Sequence, residues 1–240
     1  MTTRIAMWSG PRNLSTAMMY SFAARGDCAV WDEPFYAAYL DATGLDHPMR
    51  AEIIAEHEAD PDRVASICKG PVPQGQRYFY QKQMTMHMID GFDRRWMRSC
   101  VNVFLIRHPA RVVASYAKKR EGATFEDIGF IQQEQLFNEV ANWSGAAPLV
   151  IDSDDIRADP EGMLQKLCTG LDIPFTRKML RWPAGGHSAD GIWASHWYGA
   201  VHRSTGFEGA EGPIPALGGD YAALATQALP YYQRLAAYKL

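Results

Sequence analysis

The stretch Ile5-Ala6-Met7-Trp8-Ser9-Gly10-Pro11-Arg12-Asn13-Leu14-Ser15-Thr16 sets the fold class of this chain. Ile5 to Trp8 is a short apolar run of the kind that is buried as a strand, and Ser9-Gly10-Pro11 marks a tight turn. Leu14 to Ala24 follows, rich in Ala, Met and Leu, and reads as a helix. A strand, a loop and a helix in that order aim several backbone N–H groups at one point, where the helix dipole also favours an anion. Ser15 and Thr16 add hydroxyl donors, and Arg12 adds a forked cation suited to phosphate. Gly10, Pro11, Asn13 and Leu14 complete the candidate anion-binding loop. The alternative is a plain strand-to-helix turn with a serine cap. The triphosphate-binding pattern Gly-x-x-x-x-Gly-Lys-Ser/Thr is not met. Counting from Gly10, Ser15 stands at the second glycine and Thr16 at the lysine.

Outward from this stretch, short apolar runs alternate with helical segments. Strands are expected at Cys28 to Trp31, Tyr78 to Gln81, Val101 to Ile106 and Pro148 to Ile151. Helices are expected at Met49 to Glu58, Ala110 to Lys119, Phe125 to Trp143, Pro160 to Leu171 and Tyr221 to Tyr238. Such alternation implies βαβ units and a parallel sheet. The expected fold is α/β: a three-layer P-loop-type arrangement with a central, mainly parallel sheet flanked by helices, in one domain over residues 1–240. Ligands of such sheets bind beyond the carboxyl ends of the strands. The residues to read for chemistry are therefore Ser9 to Thr16, Asp32-Glu33-Pro34, Lys82 and Arg107-His108-Pro109. Residues 183–219 are rich in Gly, His and Trp with little periodicity, and a loop of that length in a domain is usually functional or disordered. Its aromatics argue against disorder.

Of the 240 residues, 47% are hydrophobic and 21% charged, an ordinary globular balance. The net charge of -3 argues against nucleic acid as the main partner. Cys28, Cys68, Cys100 and Cys168 form no paired motif and have no histidines at zinc spacing, so neither a disulfide framework nor a metal is expected. The start of the chain lacks a long apolar run, and nothing approaches the ~18 apolar residues of a membrane span. The expectation is a cytoplasmic protein with no membrane partner. A homodimer is one of the assemblies left open.

The second motif is Leu105-Ile106-Arg107-His108-Pro109-Ala110-Arg111-Val112-Val113-Ala114-Ser115. Arg107 ends a strand, and Pro109 suits the first helical position, where its missing N–H costs nothing. Ser115 follows about two turns along that helix. Arg107 and Ser115 either converge on a second phosphate or serve as a surface ion pair and a helix-face serine.

Taken together, the two segments resemble the nucleotide-binding segments of the sulfotransferase superfamily. In that family the first strand-loop-helix holds the 5′-phosphosulfate of 3′-phosphoadenosine 5′-phosphosulfate (PAPS), and an Arg-x-Pro-x-x-x-x-x-Ser segment holds the 3′-phosphate. Arg107, Pro109 and Ser115 meet that spacing. The chain looks most similar to compact bacterial sulfotransferase-like proteins whose loop reads Gly-Pro-Arg-Asn-x-Ser-Thr. It departs from better-known cytosolic enzymes, which carry a lysine early in the loop, so that Arg12 stands in for it here. The resemblance implies PAPS as co-substrate, no metal and a small-molecule hydroxyl or amine acceptor. It also implies that Glu33 is the base, since some bacterial members use a glutamate there. A helix-capping role for Glu33 is the alternative.

His87 is the other base candidate, since imidazole titrates near neutral pH. Lys82, expected just after a strand, stands where it could neutralise charge on the transferring group. Within Trp193 to Phe207, His196, His202 and Arg203 could reach phosphate, and in cytosolic sulfotransferases a late loop with arginine completes the 3′-phosphate site. Two other functions fit the same features: a P-loop kinase or nucleotide hydrolase with an atypical loop, and a nucleotide-binding module without turnover.

Overall fold

The computed structural model describes residues 2–118 and 122–240. Five strands form one sheet: β1 (Thr3–Ser9), β2 (Cys28–Asp32), β3 (Tyr78–Met84), β4 (Val101–Ile106) and β5 (Leu149–Asp152). Their order is β2-β3-β1-β4-β5, and every pairing is parallel. The helices are α1 (Ser15–Ala23), α2 (Tyr36–Thr43), α3 (Arg50–Glu56), α4 (Pro61–Lys69), α5 (Pro109–Ala117), α6 (Phe130–Ser144), α7 (Ser153–Ala158), α8 (Pro160–Gly170), α9 (Ala194–Trp197) and α10 (Gly219–Ala236).

Side chains alternate across a strand, so one apolar run feeds two cores. Ile5, Met7, Val103 and Leu105 pack with Met18 and Phe22 of α1 and Leu164 and Leu167 of α8. Ala6, Trp8, Phe104 and Ile106 pack on the other face with Leu136, Phe137 and Val140 of α6 and Leu235 of α10. β1 and β4 are largely apolar on both faces because both faces are covered, as parallel sheets require, whereas β3 buries Gln81, Lys82 and Gln83. This is the expected three-layer α/β arrangement. Trp8, fully buried, satisfies its indole N–H on Asn102 Oδ1 at 2.9 Å.

Several boundaries differ from expectation, each for a local reason. The helix expected from Phe125 begins only at Phe130, since Thr124 and Asp127 close their own turn and Gly129 takes φ +69°. The Met49 to Glu58 segment shortens to α3, with Met49 left-handed and His57 extended. Helix α4 was not expected, and α2 only as the helix that Glu33 would cap; α4 starts where Asp60 Oδ1 accepts from the Asp62 and Arg63 amides, with Pro61 at the first helical position. β3 runs on to Met84, carrying Lys82 inside the strand. Lys119, the expected end of α5, lies outside the described residues. Residues 183–219 hold α9 and a 3-10 turn at Val201–Arg203, and Trp193 and Tyr198 are buried.

The topology leaves one crevice. The chain leaving β1 passes through α1 on one face toward β2, while the chain leaving β4 passes through α5 to α6 on the other face toward β5. Connections that part in opposite directions open a gap between the carboxyl ends of β1 and β4. Gly10 stands at its lip, where a Cβ would lie 2.8 Å from the Ile128 carbonyl oxygen. Gly10→Ala is therefore expected to cost about 1–3 kcal/mol of overpacking. A chemical-denaturation midpoint unchanged from wild type would contradict this close approach.

Candidate active site

The loop after β1 is bent by two residues that ordinarily avoid positive φ: Arg12 at +63° and Leu14 at +70°. Such conformations cost on the order of 1–3 kcal/mol each and persist where surroundings hold them. Three contacts hold this loop. Asn13 Nδ2 donates to the Leu105 carbonyl at 3.1 Å. Arg107 Nη1 donates to the Arg12 carbonyl at 2.6 Å. Arg12 Nε donates to Ser115 Oγ at 3.0 Å.

Leu14 provides no side-chain cap to α1, so its first-turn N–H groups have no such partner among the described residues. They open on a cavity of about 520 Å³ whose wall includes Arg12, Ser15, Thr16, Arg107 and Ser115. An uncapped helix N-terminus on a cavity wall is suited to an anion. Arg12 and Arg107 thus share one cleft. Burial, and then the charge of Arg107, presses the Arg12 guanidinium below its ordinary pKa. Two cations this close make the cleft strongly favourable to negative charge.

A buried ionic cluster forms the neighbouring wall. Lys82 Nζ donates to Asp32 Oδ1 at 2.8 Å, to Tyr198 Oη at 2.7 Å and to Glu33 Oε1. Tyr198 in turn donates to Asp32 at 2.8 Å, and the Gly191 amide donates to Asp32 Oδ2 at 3.2 Å. Burial alone would lower the Lys82 pKa, but Asp32 and Glu33 outweigh it and hold the ammonium charged. Burial pushes Asp32 up against the pull of Lys82. Glu33 sits at φ +44° just past β2, its amide donating to the Lys82 carbonyl at 3.0 Å.

His87 stacks on Tyr36, with 4.6 Å between ring centroids, and on Tyr39, with 4.9 Å. Its Nδ1 lies 4.0 Å from Glu33 Oε2. Burial first, then the charges of Lys82 and His47, holds its pKa well below the ordinary value.

The cleft brings together Pro11, Arg12, Asn13, Leu14, Ser15 and Thr16 with Glu33, Lys82, His87, Arg107 and Ser115. Some expected roles change. Lys82 spends its three N–H donors on Asp32, Glu33 and Tyr198, so it positions Glu33 and has no free hydrogen for a leaving oxygen. The Asn13 amide is tied to β4 and shapes the loop. Gly10 is not on the cavity wall; it lets the Ile128 backbone pass. Arg203 is exposed and off the wall, although Ser204, Gly206 and Phe207 beside it line the cavity. Glu33 does not cap α2, which starts at Tyr36 after Phe35 with no side-chain cap. His202 faces Asp190 at 3.1 Å.

The sequence reading missed Tyr198, Arg157 and Glu211. Arg157 follows β5, so the rule of reading each strand's carboxyl end applies to it as well. Glu211 carries no local signal. Among the described residues, no group of three or more His, Cys, Asp or Glu stands close enough to hold a metal ion, and no helix is long and apolar enough to cross a membrane.

Fold and cleft define an α/β protein whose polar groups converge at the carboxyl ends of β1, β3 and β4. The sulfotransferase domain family matches residues 3–239, and the chain belongs to that family. It is 38% identical over 204 residues to branched-chain-amino-acid aminotransferase-like proteins 2 and 1 of Arabidopsis thaliana. The match covers 85% of this chain but 36% of either relative, so the chain spans little more than a third of their length. Among solved structures it is similar to the sulfotransferase domain from the Curacin biosynthetic pathway, with a TM-score of 0.54 and coverage of 95% and 97%. It is also similar to the sulfotransferase domain of the Synechococcus PCC 7002 olefin synthase, with a TM-score of 0.50 and coverage of 94% of both chains. At 14% identity each, these two likenesses concern the fold.

The environment of His87 sets a pH dependence. Its folded pKa lies well below the ordinary 6.5, so below that pH the unfolded chain takes up a proton that the native chain refuses. Stability then rises with pH, and is lost as pH falls below 6.5, by up to about 1.4 kcal/mol per pH unit for one group. His87→Gln is expected to flatten the fall in unfolding free energy between about pH 6.5 and 5. An equally steep fall in the variant would contradict a neutral buried imidazole.

Proposed function

We propose that the chain is a PAPS-dependent sulfotransferase that moves a sulfuryl group to the hydroxyl, or amine, of a small molecule. The observation that carries this reading is the convergence of Arg12 and Arg107 on one cleft, with Arg107 Nη1 2.6 Å from the Arg12 carbonyl oxygen. Each stands just past one of the two strands that flank the crevice, and Ser115 touches Arg12. The family membership supports the same reading.

The uncapped amides of α1, with Ser15, Thr16 and Arg12, would hold the 5′-phosphosulfate. Arg107 and Ser115 would hold the 3′-phosphate. Glu33 Oε2, the oxygen that faces His87 while Oε1 is held by Lys82, would accept the acceptor's proton. The acceptor oxygen forms a bond to sulfur as the bridging S–O bond breaks, and adenosine 3′,5′-bisphosphate departs with the electron pair. Arg12 would steady the charge on that departing oxygen. Such a transfer depends on in-line placement and charge stabilisation more than on covalent help. His87, held neutral, keeps a second positive charge away from Glu33. Tyr36, Met84, Met86 and Trp197 line the same cavity, which favours an acceptor with an apolar or ring-bearing body.

Calorimetry with adenosine 3′,5′-bisphosphate against adenosine 5′-phosphate tests the assignment. The bisphosphate is expected to bind more tightly, and Arg107→Ala to erase about 10- to 100-fold of that difference, the worth of charged hydrogen bonds. Equal binding of both nucleotides by wild type would remove the 3′-phosphate assignment. Glu33→Gln is expected to lower transfer from PAPS by about a hundredfold or more while nucleotide affinity stays within a few-fold. A loss of affinity without loss of turnover would make Glu33 a binding group.

A further inference from the structure

Between Phe207, which packs edge-on against Trp182, and Leu217, which packs on the core of α5 and α10, the chain arches over the cleft without regular structure. Gly209 and Gly212 on this arch face open space, and Ile214 is exposed. One side chain of the arch turns inward. The Glu211 carboxylate, only 10% exposed, meets Arg107, Arg111 Nη1 at 3.0 Å and Arg157 Nη1 at 2.9 Å. The three arginines come from three places: the end of β4, α5 and α7. Their side chains are 15%, 10% and 17% exposed.

The rest of the arch hangs on the same cations. Arg157 Nε donates to the Gly209 carbonyl at 3.0 Å, and Arg111 Nη2 donates to the Gly212 carbonyl at 2.6 Å. Arg157 also pairs with the exposed Glu208 at 3.0 Å, and Arg111 with Asp154 at 2.9 Å. Arg107 Nε is buried with no hydrogen-bond partner among the described residues. The pocket therefore has more donor capacity than one carboxylate uses. A phosphate monoester brings three acceptor oxygens and about two charges at neutral pH, against two oxygens and one charge for a glutamate. Forked guanidinium groups favour it accordingly.

We propose that Glu211 is a built-in stand-in for a phosphate monoester, seated in the free chain on the Arg107–Arg111–Arg157 site, and that the incoming phosphate displaces it and frees the 208–212 arch. This rests on the reading of Arg107 as a contact for the second phosphate of the donor, and assigns that site an internal competitor and two further arginines. Displacement is feasible because the arch has few apolar contacts and its hydrogen bonds run to the arginines that the ligand would take over. The apparent affinity of the donor site is reduced by the fraction of molecules in which Glu211 is seated.

The test measures adenosine 3′,5′-bisphosphate affinity by calorimetry and amide exchange of residues 208–212. Wild type is compared with Glu211→Gln, which keeps the shape and loses the charge, and with Glu211→Ala. Both variants are expected to bind the bisphosphate on the order of tenfold more tightly, with adenosine 5′-phosphate binding unchanged. In wild type, the bisphosphate or inorganic phosphate is expected to speed amide exchange at 208–212. If the bisphosphate binds wild type but the variants bind it no more tightly, or 208–212 becomes more protected, the stand-in is overturned and the donor reading survives. If the bisphosphate does not bind while inorganic phosphate still releases the arch, the donor reading falls and the stand-in survives. Failure of both ligands to release the arch overturns the stand-in outright.

Discussion

Arg107 crosses the crevice between β1 and β4 to donate to the Arg12 carbonyl, and the organisation of the cleft depends on that one contact. It ties the strand end that leads to one face of the sheet to the strand end that leads to the other. It also fixes the turn in which Arg12 and Leu14 hold left-handed backbone angles. With the turn fixed, the first amides of α1 face the cavity, and Arg12 lies against Ser115 from the second motif. A strained loop persists only where its surroundings over-determine it. Here the Asn13 amide on β4, the Arg107 guanidinium and the Arg12–Ser115 contact do so together.

A second constraint is the ionic cluster around Lys82. Burying an ammonium with two carboxylates is seldom a route to stability, because desolvation offsets most of the attraction. The cluster is better understood as a positioning device. Lys82 fixes one oxygen of Glu33, Tyr198 fixes Asp32, and Gly191 connects the cluster to the long segment that follows α8. His87 completes it as a neutral ring clamped between two tyrosines. Segment 183–219 therefore supplies a wall of the cleft, and through Glu211 it supplies an anion for the arginines on the far side.

The legible part of the fold was the part set by local pattern. Ile5 to Trp8 and Val101 to Ile106 are apolar on both faces, and such runs read directly as central parallel strands. The rule that chemistry lies past each strand led to Arg12, Glu33 and Arg107, and the cleft brings all three together. The rest was set by distant partners. Lys82 reads locally as a residue after a strand, but its role is decided by Asp32, Glu33 and Tyr198. Arg203 lies in the right segment, but the 3-10 turn at Val201–Arg203 leaves it exposed while its neighbours line the cleft. Glu211 sits in a Gly- and Pro-rich stretch, and only three arginines from other elements give it a place. Phe125 to Gly129 was helical by periodicity, yet the close pass of Gly129 beside Thr85 and Gly10 delays the start of that helix to Phe130.

A crystal structure of the chain with adenosine 3′,5′-bisphosphate shows which groups hold each phosphate. The 5′-phosphate is expected on the amides of Asn13 to Thr16 beside Arg12, and the 3′-phosphate between Arg107 and Ser115 with Glu211 displaced. A nucleotide lying elsewhere, or one whose 3′-phosphate faces solvent while Glu211 keeps its arginines, would contradict this placement.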